Sequence, residues 1–411
     1  VTTDPPSEPP EEAAEGTSFD QLASFAIPPD DDGHEDRYED EPHEDEPHED
    51  EPHEEPRIYG AAGRSRPEGR AHRRHRRRWR LVMVTAAAVV FLVVVGGILW
   101  IRAEADPSGP RGAQVIVTVR SGTGVSQLAG TLQSDGVIGS SLAYRLWSQF
   151  HTVPGVLSGA YAFNKNSPFS QVNDVIAAGP NVFPLSIPAG FTVAEVAARV
   201  GQLPGHDAST FAKVAASGVV RSPWQPAGST TLDGLLGTGT YTVVPGESDT
   251  ALLTTMVARF NALAGRLGLE AGAAKLGYTP YQLITVASIV EKEGVIQKNL
   301  GPVARVIYNR LANDMPLQMN STVLYAEGRD GGQVTDKDLQ VKTPYNTYLN
   351  KGLTPTPICF PSPAALQAAL DPPAGSWLYF VLVDQDGTEA FADTFAQQEA
   401  NEALAQERGL P

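Results

Sequence analysis

The strongest pattern along the chain is a run of 21 residues, Leu81 to Ile101, that carries no charge and is rich in Val, Ala and Leu. A helix of that length, at ~1.5 Å per residue, crosses a ~30 Å hydrocarbon layer. Trp79 and Trp100 stand at its two ends, where indole rings favour the membrane interface. The run predicts one transmembrane helix at 81–101. Residues 102–114, with two Pro and two Gly, read as a linker. Val115, Val117 and Val119 then alternate with Ile116, Thr118 and Arg120 as in a strand. After the Ser121-Gly122-Thr123-Gly124 turn, Leu128 and Leu132 share one face of a short helix that ends before Gly136. The same order recurs in Phe183–Ile187, the Pro188-Ala189-Gly190 turn, and a helix capped by Thr192 that carries Val196 and Val200.

Residues 206–245 are rich in Gly, Ser, Thr and Pro and predict mostly loop. Helical spacing returns over 250–267, where Leu252, Leu253, Met256, Val257 and Phe260 make a stripe. The next helix starts with Thr279 as N-cap and Pro280 at the first position. Its inward face is Leu283, Ile284, Ala287 and Val290, and it stops near Gly294, which suits a C′ position. A further helix is expected over 303–311. Trp377–Val383, an Asp386-Gly387 turn and a partner strand near Ala390 predict a β-hairpin. The fold class is therefore α+β, divided into a tail (1–80), a membrane helix (81–101), a linker (102–114), a β-α module region (115–205) and a mixed α+β domain (206–411).

Charge adds an orientation. The net charge of −17 is concentrated in residues 1–60, which hold 22 acids and two bases; residues 61–80 carry nine Arg and one Glu, and residues 102–411 hold 25 acids and 20 bases. Basic residues before the apolar run predict that residues 1–80 are cytoplasmic and the remainder outside, on one uncleaved signal-anchor helix. The nearly balanced outer part lacks a nucleic-acid footprint. A tandem Glu-Pro-His-Glu-Asp repeat through Pro42, Pro47 and Pro52 predicts a disordered, solvated tail. The Arg-rich run at 73–80 suits anionic headgroups or the acidic tail itself. With Cys359 the only cysteine, the outer part must be held by its core rather than by a disulfide. Its only histidines, His151 and His206, are far apart and suggest no metal site.

The candidate chemistry sits at the end of the 280–293 helix, in Ala-Ser-Ile-Val-Glu-Lys-Glu-Gly (287–294). At ~100° per residue, Glu291 and Glu293 flank the buried face on opposite sides, so one can enter a cleft while the other does not. Negative potential at a helix C-terminus, together with burial, raises a carboxyl pKa and suits it to general acid work. Geometry alone leaves the choice between them open.

The octapeptide resembles the signature of the endolytic murein transglycosylase (YceG-like) family. Tyr308–Ala326, Pro344–Ile358, the Ala-Leu-Gln-Ala-Ala-Leu-Asp-Pro-Pro segment and Trp377–Gly387 resemble later blocks of that family in order. The two β-α units resemble its LysM-like part, and the anchor fits. The resemblance covers about residues 115–395. It implies a membrane-anchored enzyme, without a cofactor, that cuts nascent peptidoglycan glycan strands beside synthases of the elongation or division machinery. It implies Glu293 as the catalytic acid, with Glu291 the second candidate. Such a cut needs polar groups that grip sugar hydroxyls and amides, for which Gln318, Asn320, Tyr345, Asn346 and Tyr348 are the candidates, with Arg310 to pair an acid or a peptide-stem carboxylate. The chain departs from the family at Gly237-Thr238-Gly239, at Asn320-Ser321, and at Glu389-Ala390-Phe391 and Gln397-Gln398. Two other readings are a non-catalytic wall-binding scaffold and a true hydrolase with a second carboxylate such as Asp314 or Asp330.

Overall fold

The computed structural model describes residues 69–410, with side chains from residue 77; the acidic repeat, and the disorder expected of it, lie outside the described residues. Helix α1 (Gly69–Ala105) begins within the basic run and continues through the whole apolar stretch. None of that stretch is buried against the rest of the chain, and it is the one helix among the described residues long and apolar enough to cross a membrane.

Two units of the same topology follow. The first contains β1 (Gln114–Val119), α2 (Val125–Ser134), α3 (Ser141–Ser148) and β2 (Gly159–Asn164). β1 and β2 are antiparallel, with Val117 opposite Tyr161. The alternation holds: Val117 and Val119 are buried and Ile116 is exposed. A two-stranded ladder is marginal alone, and Leu128 and Leu132 of α2 close its inner face. After α4 (Phe169–Ala178), the second unit contains β3 (Phe183–Ile187), α5 (Val193–Val200), α6 (Ala208–Ala216) and β4 (Gly239–Val243). β4 pairs antiparallel with β3, Tyr241 opposite Leu185. Each β-α unit of the sequence is thus half of a βααβ unit, and the second pairing reaches across residue 205.

The expected loop over 206–245 contains α6 and β4. The signal for α6 is weak because only Phe211 and Ala215 of its nine residues are buried. Before β4, Gly237 passes so close to the following helix that a Cβ would stand 2.8 Å from Arg259 Cγ. That close approach is a physical reason for one glycine of the Gly-Thr-Gly departure.

The remaining body is mainly helical: α7 (Asp249–Arg266), α8 (Leu269–Leu276), α9 (Pro280–Glu293), α10 (Gln297–Ala312), α11 (Asn320–Ala326) and α12 (Pro363–Leu370). The hairpin β5 (Tyr379–Leu382) and β6 (Glu389–Ala392) and then α13 (Phe395–Glu407) complete it. α9 is the central element. Its capping box joins Thr279 and Gln282, and every residue from Leu283 to Val290 is buried, not only the expected face. Helices α8, α10, α11 and α12 surround it. α10 begins at Gln297, ahead of the expected 303, with Pro302 inside. α9 does stop at Gly294, but that residue is extended (φ −78°, ψ 95°) rather than left-handed. A Cβ there would lie 2.6 Å from Leu300 Cδ2, so the glycine admits α10 rather than a positive φ.

Candidate active site

Glu291 and Glu293 leave the end of α9 towards different neighbours. Glu291 Oε2 accepts the Ser362 N–H at 2.8 Å, and Ser362 is the N-cap of α12. A carboxylate at that positive helix end ties α9 to α12. Glu293 turns to α11, where its Oε1 accepts the Ser321 Oγ–H at 2.5 Å and the Ser321 N–H at 3.1 Å. Burial pushes the Glu293 carboxyl above its ordinary value, while the two Ser321 donors and the Arg310 guanidinium pull it back down. Opposing influences of this kind suit a group that must both release and recover a proton.

Glu293 lines a cavity of about 690 Å³. α11 and the loop beyond it supply Asn320, Ser321, Tyr325 and Tyr345, and the second βααβ unit supplies Thr192, Glu195 and Asp233. The Tyr325 and Tyr345 rings stand 5.1 Å apart, an apolar wall among polar groups. Lys292 and Asp330 also line it and pair at 2.5 Å.

The expected binding residues divide into wall and support. Asn320 and Tyr345 are on the wall. Tyr348 stands behind Asn320, its hydroxyl donating to Asn320 Oδ1 at 2.6 Å. Burial raises the Tyr348 phenol, and the Glu293 charge raises it further. Gln318 has φ +52° and accepts from Arg310 Nη1 at 3.4 Å; it is not among the lining residues. Asn346 is fully buried, donating to the Leu339 and Val341 carbonyls and accepting the Tyr348 N–H. It holds a loop. Arg310, 7% exposed, donates to the Leu378 and Leu317 carbonyls, both at 2.6 Å, and lies over the Tyr379 ring. Burial lowers its pKa.

Of the two carboxylates named for a hydrolase, Asp330 lines the cavity; its hydrogen bond from Lys292 holds it below the usual carboxylate range. Asp314 pairs with Lys351 at 2.6 Å on the exposed surface. Among the described residues no cluster of three metal-ligating side chains occurs, and His206 bonds Asp249 at 2.7 Å.

Three further groups had no identifying motif. Ser321 is the hydrogen-bond donor to Glu293; the sequence marks it only as a departure. Asp233 accepts the Val193 N–H at the start of α5 and the Tyr325 hydroxyl, each at 2.8 Å, and burial raises its pKa. Glu389 on β6 is 8% exposed with Oε2 unpartnered. Burial, opposed by the Val295 N–H and reinforced by the Glu293 charge, pushes its pKa up to about 7.

The sequence pattern of the YceG-like family matches residues 117–403, from β1 into α13 and across this whole cavity. The chain belongs to that family. Within this YceG-like chain, α1 lies outside the matched segment. The chain is 28% identical to the endolytic murein transglycosylase of Bacillus subtilis over 325 residues, 74% of this chain and 89% of that protein. It is 27% identical to the endolytic murein transglycosylase of Streptococcus pneumoniae over 321 residues, 70% of this chain but 58% of the longer relative. A crystal structure of a yceG-like protein from Listeria monocytogenes matches with a TM-score of 0.50 at 26% identity, covering 70% of this chain and 98% of that one.

Proposed function

We propose that this chain is a membrane-anchored lytic transglycosylase that cuts peptidoglycan glycan strands internally, with Glu293 as its single catalytic carboxyl. The observation that carries this reading is the carboxyl itself. It stands half-buried on the cavity wall at the end of α9, its pKa raised by burial, and is bonded through Oε1 alone to Ser321. Protonated Glu293 donates to the glycosidic oxygen of the β-1,4 bond between N-acetylmuramic acid and N-acetylglucosamine. The bond to C1 breaks, and the leaving sugar takes the proton as its new hydroxyl. The carboxylate, steadied by the Ser321 donors, then removes the proton from the muramyl C6 hydroxyl. That oxygen closes on C1 and leaves a 1,6-anhydro end, with Glu293 protonated again. The nucleophile belongs to the substrate, so neither a second carboxylate nor a cofactor is needed.

Asn320 and Tyr345 offer the sugar a polar edge and an aromatic face, with Tyr348 orienting Asn320. The two βααβ units serve as the LysM-like part that holds an extended strand; the second already shares the cavity through Thr192 and Asp233. The tail is cytoplasmic, the cavity outside, and synthases of the elongation or division machinery are the expected neighbours. The test is full-length protein in detergent, incubated with glycan strands and analysed by mass. Anhydromuramyl ends that vanish in Glu293→Gln are expected. Reducing ends would indicate a hydrolase, binding without cleavage a scaffold, and full activity of Glu293→Gln would remove the residue from the mechanism.

A further inference from the structure

An apolar line runs along the outside of α3 and past its end. Leu142, Leu146 and Phe150 follow one another at the four-residue spacing that stacks side chains on one helix face. They are 54%, 40% and 85% exposed. The opposite face is fixed: Ala143 and Tyr144 are buried, and Trp147 packs edge-on against Phe169. Leu142 and Leu146 therefore belong to an ordered helix, and Phe150 follows in the turn after its C-cap, Gln149. Elsewhere beyond α1, exposed large apolar residues such as Val219, Val295 and Phe395 are scattered along the chain. Scattered ones need no explanation, whereas an aligned set indicates a partner.

The place where α3 joins the anchor bears on what that partner is. The Glu104 carboxylate of α1 lies against Gly139, where a Cβ would collide with it, and Ala105 packs on the core of the first βααβ unit. Gly139 precedes Ser140, the N-cap of α3. The segment leading into α3 thus meets α1 at Glu104, about one ~5.4 Å turn beyond Ile101. That is the depth of lipid headgroups when α1 spans a bilayer. The exposed residues between the apolar ones are Arg145 and Gln149, and no acid occurs from Ser140 to Leu157. A cation flanked by Leu and Phe suits an anionic lipid surface, where the guanidinium reaches headgroups while the apolar groups enter the acyl boundary.

We propose that Leu142, Leu146 and Phe150 seat the first βααβ unit on the lipid surface beside its own anchor. The occupant of this face is the bilayer, continuous with the lipid around α1. Such seating holds the first unit at a set height above the membrane, independently of which reaction the cavity performs.

The test uses the full chain in nanodiscs of zwitterionic and anionic lipid, with Phe150→Cys carrying an environment-sensitive fluorophore. Cys359 is buried and hydrogen-bonded, which protects it from labelling. Thr254→Cys, on an exposed position of α7, is the control. The expected result is loss of emission at position 150, but not at 254, when lipids carry a quencher near the headgroup. Adding Leu142→Ser and Leu146→Ser, both surface changes, should reduce that quenching. Equal emission with and without quencher lipid overturns the proposal. So does shielding of the probe that appears only with two copies per disc, which would make the face a contact between copies.

Discussion

Glu389→Gln isolates one buried proton. In the natural chain Glu389 keeps its proton to about pH 7, against an ordinary value of 4.5, because the residue is 8% exposed and its Oε2 has no partner. Between those two pH values the folded chain binds more protons than the unfolded chain. Its stability is complete below about pH 4.5 and falls as pH rises towards 7. The span from 4.5 to about 7, at about 1.4 kcal/mol per pH decade, sets a cost of about 3 kcal/mol above neutrality. Glutamine keeps the shape and cannot ionise, so the variant escapes this cost. Asp233 and Glu293 also hold raised pKa values through burial, but they are present in both proteins and largely cancel in the difference. For a body of about 300 residues, about 3 kcal/mol corresponds to about 5 °C in Tm. The assay is thermal unfolding of full-length protein in detergent, followed by tryptophan fluorescence at pH 5 and pH 8. The variant should lead by little at pH 5 and by most of that amount at pH 8. A lead of the same size at both pH values would show that Glu389 does not titrate between them and would refute the reasoning.

Ser321→Ala removes one of the two donors that favour the Glu293 carboxylate, so its pKa rises. The alkaline limb of glycan cleavage should then move up by about one pH decade, a hydrogen bond to a charged group being worth about 1.5–3 kcal/mol; an unmoved limb would deny Ser321 this role. Glu291→Gln should cost about 1 kcal/mol of stability at the start of α12 while cleavage persists. Loss of cleavage with stability intact would transfer the catalytic role to Glu291. Asn346→Ala should cost about 2 kcal/mol or more through its buried amide bonds, and would appear as a lower Tm; an unchanged Tm would show that the loop is held by other groups.

What could be read from the chain is what short-range rules govern. The start of α9 follows from Thr279, Pro280 and Gln282, and the inward side of β1 from its alternating valines. Its partner β2 begins at Gly159 and β4 at Gly239; each closes a ladder across intervening helices, and no local spacing marks such a return. The choice between Glu291 and Glu293 has the same origin. The helical wheel separates them, but their hydrogen-bond donors, Ser362 and Ser321, come from 71 and 28 residues away, and only those arrivals distinguish an anchor from a cavity-lining acid. Asn320 and Asn346 make the point within one residue type. Both look equally suited to grip a sugar, yet one lines the cavity and the other spends its amide on the Leu339 and Val341 carbonyls. Polarity in a sequence tells which side chains need partners; the fold decides whether those partners are backbone groups already present or a substrate still to bind.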